Sequence, residues 1–218
     1  TWTLQIEDVV RGDSGVLTSI AFKGYGSAVA TGDVYHYTDE VLTVLAQSGQ
    51  ADRLMLVDVD GGVDWINGAA MYRDLVLDLN EGMTSTLAGS VFLVIASGSQ
   101  IENVVGGDGC DRLVGNSLNN VMYGMRGDDS LCGGSGIDTA GFAGDSGDYE
   151  IVSIDSITIV KDLSGRFGTD ILSDFEFLAF DDKIIVLQPT DNIPSDTKAP
   201  ELQATTPQDD ATEVAMDA

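Results

Sequence analysis

Four oxygen-bearing residues recur at a fixed interval in the middle of the chain: Asp111, Asn120, Asp129 and Asp138, each nine residues from the next. They stand at the sixth position of four consecutive nonapeptides, GGDGCDRLV (106–114), GNSLNNVMY (115–123), GMRGDDSLC (124–132) and GGSGIDTAG (133–141). Glycines crowd the first four positions, and the eighth is apolar in every copy: Leu113, Met122, Leu131 and Ala140. A carboxylate set among glycine-rich turns whose carbonyls can converge is an all-oxygen donor set, which suits a hard cation such as Ca²⁺. The pattern G-G-x-G-x-D-x-U-x, with U a large apolar residue, is that of a calcium-binding parallel β-helix. The candidate metal ligands are Gly106, Asp108, Asp111, Asn120, Gly127, Asp129, Ser135 and Asp138. A plain Gly/Asp loop is the bland alternative, and the strict nine-residue register argues against it.

To position these residues the chain must coil, with a short strand after each turn and its eighth residue inward. Turns on one side of such a roll lie 18 residues apart. Asp111 therefore pairs with Asp129, and Asn120 with Asp138; the second pair carries one charge fewer and should bind more weakly. The same register carried backward over SGSQIENVV (97–105) puts Glu102 at a sixth position, facing Asn120. Glycine is costly to order, and one inward apolar side chain per nonapeptide returns little. The repeats are therefore expected to be disordered without ions and folded with them.

The expected fold class is all-β: a short parallel roll at 106–141, antiparallel β segments around it, and the tail of a β-sandwich at the N-terminus. Residues 1–25 read as two strands about a polar turn at 11–15, and 26–105 as mostly β, with DVYHYTDEVLTVLAQ ambiguous between strand and short helix. DYEIVSIDSITIVKDL reads as a hairpin, and FGTDILSDFEFLAFDDKIIVL as two strands flanking Asp181 and Asp182, within a β extension at 142–187. Residues 188–200, with three of the four prolines, form a linker. The chain opens TWTL, without methionine, as expected of a piece of a longer protein.

Thirty-six acidic residues against 10 basic ones give a formal net charge of −26. That balance argues against nucleic acid and anionic membrane as partners and favours cations. An acidic surface adapted to salty surroundings also accounts for it. No run is long and apolar enough for membrane insertion. Cys110 falls in a turn and Cys132 past a strand, so no disulfide is expected, and two thiols without a nearby histidine make a poor zinc site. No catalytic residue is identified. His36 is the only histidine, which excludes a zinc-protease H-E-x-x-H motif, and it reads as a surface or sheet residue. Asp58, Asp60 and Asp64 around Gly61 and Gly62 form either another Ca²⁺ loop or a solvated turn.

The repeats, with IENVVGG before them, resemble the RTX (repeats-in-toxin) family, as in the C-terminal region of serralysin-type proteases. LDLNEGMTSTLAG is similar to the segment preceding such repeats, and GTDILSDFEFLAFDD to the β extension that follows them. The likeness covers roughly residues 54–187 and departs at Asn120, Met125 and Ala140. It implies a region that folds on Ca²⁺ outside the cell after type I secretion. TWTLQIEDVVRGDSGVLTSIAFKGYG resembles instead the end of the P (Homo B) domain of kexin- and furin-like subtilases. The matches are Trp2, Leu4, Asp8, Gly12, Asp13, Gly15, Leu17 and Ser19, with Ile20 where tryptophan is frequent. DTKAPELQATTPQDDATEVAMD is similar to the first strand of bacterial Ig-like domains, so 201–218 reads as the start of one. These resemblances imply a secreted accessory region of a subtilisin-like serine endopeptidase whose catalytic domain lies upstream. An RTX adhesin or surface protein without enzymatic activity and a serralysin-like metalloprotease are the alternatives. Contacts with a cell surface or a protein substrate would then fall to other domains.

Overall fold

The computed structural model describes residues 32–187. The sandwich tail expected at 1–25, the linker at 188–200 and the Ig-like start at 201–218 lie outside them. Among the described residues the regular structure is strand, apart from two 3-10 turns and one short helix, α1 (Val41–Leu45).

The strands form two sheets. The first contains β1 (Val34–Thr38), β3 (Trp65–Ala70), β7 (Asn103–Val105), β9 (Val121–Tyr123), β11 (Thr139–Gly141), β15 (Phe177–Ala179) and β16 (Ile184–Val186), in that order. The second runs β12 (Tyr149–Ile154), β13 (Ile157–Asp162), β14 (Thr169–Ser173), β10 (Ser130–Cys132), β8 (Arg112–Val114), β4 (Leu75–Asp78), β5 (Thr84–Leu87), β6 (Ser90–Ile95) and β2 (Met55–Leu56). Within the nonapeptides the chain alternates between sheets, so each strand pairs in parallel with the one 18 residues away: β7 with β9, β8 with β10, β9 with β11.

Parallel pairing continues on both sides of residues 106–141. It reaches β3 and β1 upstream, and β14 and β15 downstream. Antiparallel pairs flank it: β4–β5–β6, β12–β13–β14 and β15–β16. The ambiguous segment at 33–47 is strand and then helix, β1 followed by α1. The expected pair of strands about Asp181 and Asp182 is instead three. A turn at Asp174, at φ +58°, separates β14 from β15 before β16 follows. Cys132 is the last residue of β10 rather than beyond it, and both cysteines are free. His36 sits exposed on β1.

The core lies between the sheets and is built from registered apolar columns. Ile66, Val104, Met122, Ala140 and Leu178 stack along the first sheet. Leu77, Leu113, Leu131 and Leu172 stack along the second. All nine are essentially buried, and they belong to one continuous cluster. One residue of each short strand joins these columns, and each large side chain among them contributes about 1.5–3 kcal/mol by burial. Aromatic residues close the downstream end: Phe142 stacks on Phe180 at 5.3 Å, and Tyr149 packs on both while donating to the Ala143 carbonyl at 2.7 Å.

Truncating the centre of a column leaves a cavity that short, tightly registered strands cannot collapse. Leu113→Ala is expected to cost about 2–5 kcal/mol in thermal or chemical unfolding with calcium present. Val76→Ala, on the partly exposed face of β4, should change stability by less than about 0.5 kcal/mol.

Candidate metal centre

Each turn ends in a residue that sits one place before its strand or, at Asp170, on the strand's second residue. Except at Asn120, whose Oδ1 accepts the Asn116 N–H of its own turn at 2.9 Å, its side-chain oxygen accepts the backbone N–H of the corresponding residue in the previous coil. On the second sheet, Asp111 accepts from Leu75 N–H (2.9 Å), Asp129 from Asp111 N–H (2.7 Å) and Asp170 from Asp129 N–H (3.0 Å). On the first sheet, Asp64 accepts from Asp33 N–H (2.6 Å), Glu102 from Asp64 N–H (2.8 Å), Asp138 from Asn120 N–H (2.7 Å) and Glu176 from Asp138 N–H (2.7 Å). The structure thus brings Asp111 to Asp129 and Asn120 to Asp138. Asn120 joins its column with a neutral amide, donating from Nδ2 to the Glu102 carbonyl at 2.7 Å.

Glycine at the first position of each repeat has a steric cause. A Cβ on Gly106 would lie 2.7 Å from Asp111 Oδ2 and 2.6 Å from the Gly124 carbonyl oxygen. Gly124 lies against the Asp129 carboxylate, Gly115 against Asn120 Oδ1 and the Gly133 carbonyl, and Gly133 against Asp138 Oδ2 and the Asp174 carbonyl. The space that a side chain would take is lined by oxygen. Gly127, at φ +117°, packs likewise on the Gly109 carbonyl. Asp108 and Ser135 occupy the exposed rim: Asp108 pairs with Arg126 at 3.2 Å, and Ser135 N–H donates to the Asn116 carbonyl at 3.2 Å. Met125 adopts φ +78° where the motif has glycine, a conformation unfavourable for a bulky residue.

These oxygens are short of positive charge. Asp129 Oδ2 and Asp138 Oδ2 are buried and accept no hydrogen bond among the described residues. Burial first, then the neighbouring Asp170 and Asp111, pushes Asp129 up to about 8. Burial and the Glu176 and Asp174 charges push Asp138 up to about 7, and burial with the Asp128 charge does the same for Asp170. Asp111 is raised too, chiefly by burial. Orphaned, desolvated carboxylate oxygens facing glycine-cleared, carbonyl-lined space are what a bound calcium ion needs, so the residues present fit the ion. Neither cysteine offers an alternative: Cys110 is exposed, and the Cys132 thiol donates to Asp174.

Residues 105–140 match the family model of the RTX calcium-binding nonapeptide repeat, in four copies. RTX nonapeptide repeats bind calcium. A search of curated proteins finds no match to the chain. The columns run further than the repeats, since Asp170 and Glu176 extend them downstream and Asp64 and Asp33 upstream. Sequence reading found Glu102 by register but assigned no such place to Asp170, Glu176 or Asp33. The signal available for them was the surviving half of the motif, an acidic residue two places before an inward-facing one, as in Asp170–Leu172 and Glu176–Leu178.

Raised carboxyl values set the sign of a pH dependence. Below the ordinary value of 3.8 these groups are neutral in folded and unfolded chains alike. As pH rises towards 7 and 8 the unfolded chain ionises first, so the metal-free fold loses stability. Any β structure that calcium-free protein keeps is expected to melt at a higher temperature at pH 5 than at pH 8. Calcium affinity should rise over the same interval as protons cease to compete. Thermal melts and calcium titrations at the two pH values check both signs.

Proposed function

We propose that this chain is a calcium-folded accessory region of a larger secreted protein. The orphaned oxygens of Asp129 and Asp138, buried against glycine-cleared turns, carry the reading. Asp111 and Asp129 hold one ion on one edge of the roll, with turn carbonyls at Gly106, Asp108 and Gly127. Asn120 and Asp138 hold another on the opposite edge, with the turn at Ser135. The ion supplies the positive charge that the stacked carboxylates lack, so binding and ordering of the repeats occur together. Secretion is supported by what RTX repeat proteins typically do. Among the described residues no helix is long and apolar enough to cross a membrane.

The protein served is, in this proposal, a subtilisin-like serine endopeptidase, and the P-domain likeness of residues 1–25 supports that choice. The Ig-like likeness of 201–218 favours the other reading, a non-enzymatic surface adhesin. Export in either case follows the type I route that the RTX likeness implies.

Charge count ranks the two sites. Asp111→Asn should weaken calcium binding about tenfold and loosen the repeats, whereas Asn120→Asp should tighten the weaker site by a similar factor. Calorimetric titration of both variants reads this directly, and parent-like binding by Asp111→Asn removes Asp111 from the ligand set. For the parent protein, the native secreted form should label with a fluorophosphonate serine-hydrolase probe. Absence of labelling favours the adhesin.

A further inference from the structure

Side chains alternate along a strand, so the residues on either side of the first sheet's core column stand on its outer face. Two outward rows cross its seven strands in register. One runs from Val34 through Trp65 and Phe177 to Val186, the other from His36 through Tyr123 to Ile184. Neither row contains an aspartate, glutamate, lysine or arginine, in a chain with 36 acidic and 10 basic residues. The outer face of the second sheet differs, since Arg112, Glu150 and Lys161 all stand exposed on it.

Three aromatic rings dominate the uncharged face. Trp65 and Tyr123 stack with ring centroids 6.2 Å apart and planes 30° apart. Gly141 clears the way for this: a Cβ there would run into the Tyr123 ring, which lies across β11. Trp65, Tyr123 and Phe177 are all partly exposed, whereas Asn103, Val105 and Thr139 between them are each 2% exposed. Thr139 carries an unmet polar group. Its Oγ1 is buried without a hydrogen-bond partner among the described residues. The three other such atoms belong to the carboxylate columns, but this one lies in the outward row between Trp65 and Phe177.

We propose that this face binds a neutral polysaccharide whose sugar rings lie on Trp65, Tyr123 and Phe177. A pyranose presents polarised C–H groups on its faces, which suit the negative face of an aromatic ring. Its hydroxyls can meet the exposed His36 and the unpartnered Thr139. Trp65 and Phe177 are separated by four strand spacings, roughly 19 Å, which calls for an extended chain rather than a single sugar. Charge disfavours the other occupants. A net charge of −26 repels nucleic acid, whose bases would otherwise suit a stacking surface, and equally an anionic membrane or a second copy of this chain. An uncharged partner on an uncharged face meets none of that repulsion.

The two rows include none of the calcium ligands proposed above, so the inference stands or falls apart from them. Affinity electrophoresis of the full chain with calcium, in native gels containing amylose, laminarin, galactomannan or hydroxyethylcellulose, tests it, with heparin as the charged comparison. At least one neutral polymer should retard the protein and heparin should not. Trp65→Ala and Phe177→Ala should each weaken retardation about tenfold. Trp65→Phe should recover part of it, and Val152→Ser, on the outer face of the second sheet, should leave it unchanged. The calcium-induced β signal in circular dichroism separates lost binding from lost fold in every variant, and Phe177→Ala decides if Trp65→Ala fails that control. In a Trp2→Phe background, where Trp65 is the only tryptophan, the retarding polymer should shift the emission. Equal migration in all the gels overturns the proposal, as does retardation that survives both alanine changes. Self-association in sedimentation without retardation gives the face to a second copy and overturns it too.

Discussion

The hydrogen bond from a turn's backbone N–H to the carboxylate of the next coil is the contact on which the rest of this fold depends. It fixes the register between coils at the point where each strand begins, so that inward residues two places later fall into columns. It also creates the molecule's main difficulty. Every coil that joins adds an acidic or amide side chain to the same column, and the acidic members lose water as they stack. A charged acceptor makes a stronger bond than a neutral one, but only while it stays charged. Burial pushes Asp129 and Asp138 towards the protonated form near neutrality. A cation between stacked turns would resolve the conflict, because it would keep the carboxylates ionised while removing their mutual repulsion.

Glycine is tied to the same constraint. At the first position of each repeat its absent side chain leaves room for a carboxylate oxygen and for a carbonyl of a neighbouring turn. A Cβ there would displace those oxygens. The glycine-rich composition that makes the unfolded chain so disordered is therefore the composition that lets oxygen converge. Neither the apolar columns nor the carboxylate columns suffice alone. The first bury a single residue per strand, and the second carry uncompensated charge.

This logic explains what could be seen in the sequence. Asp111, Asn120, Asp129 and Asp138 were legible, and so were the inward Leu113, Met122, Leu131 and Ala140, because within the repeats one coil takes 18 residues without interruption. Glu102 was reachable by carrying the register back one turn. Outside the repeats the same bond recurs across separations of 31 residues (Asp33 to Asp64), 38 (Asp64 to Glu102 and Asp138 to Glu176) and 41 (Asp129 to Asp170). Hairpins and loops inserted between strands destroy the period, although the hydrogen-bond rule is unchanged. What survives locally is an acidic residue two places before an inward-facing one, too short a signal to register as a repeat. The antiparallel hairpin at 149–162 was legible for the opposite reason, since its alternation is contained in one continuous segment.

The direction of the column bond settles which parts of the chain complete which. Each carboxylate reaches back to the coil before it, so the final repeats cannot satisfy their own N–H groups. The donors of Asp129 and Asp138 are taken up by Asp170 and Glu176, both beyond the repeats. The same segment supplies β14 and β15, which cover the exposed edges of β10 and β11, and the aromatic group of Phe142, Tyr149 and Phe180 that closes the core. Stacked coils bury their faces only against neighbours and need a terminal unit of different character. Residues 142–187 have that character: antiparallel pairing on the outside, and acceptors and apolar partners on the inside. The nonapeptides and the segment after them thus share one hydrogen-bonded structure, in which the acceptors for the last two glycine-rich turns are carried by the segment that follows them.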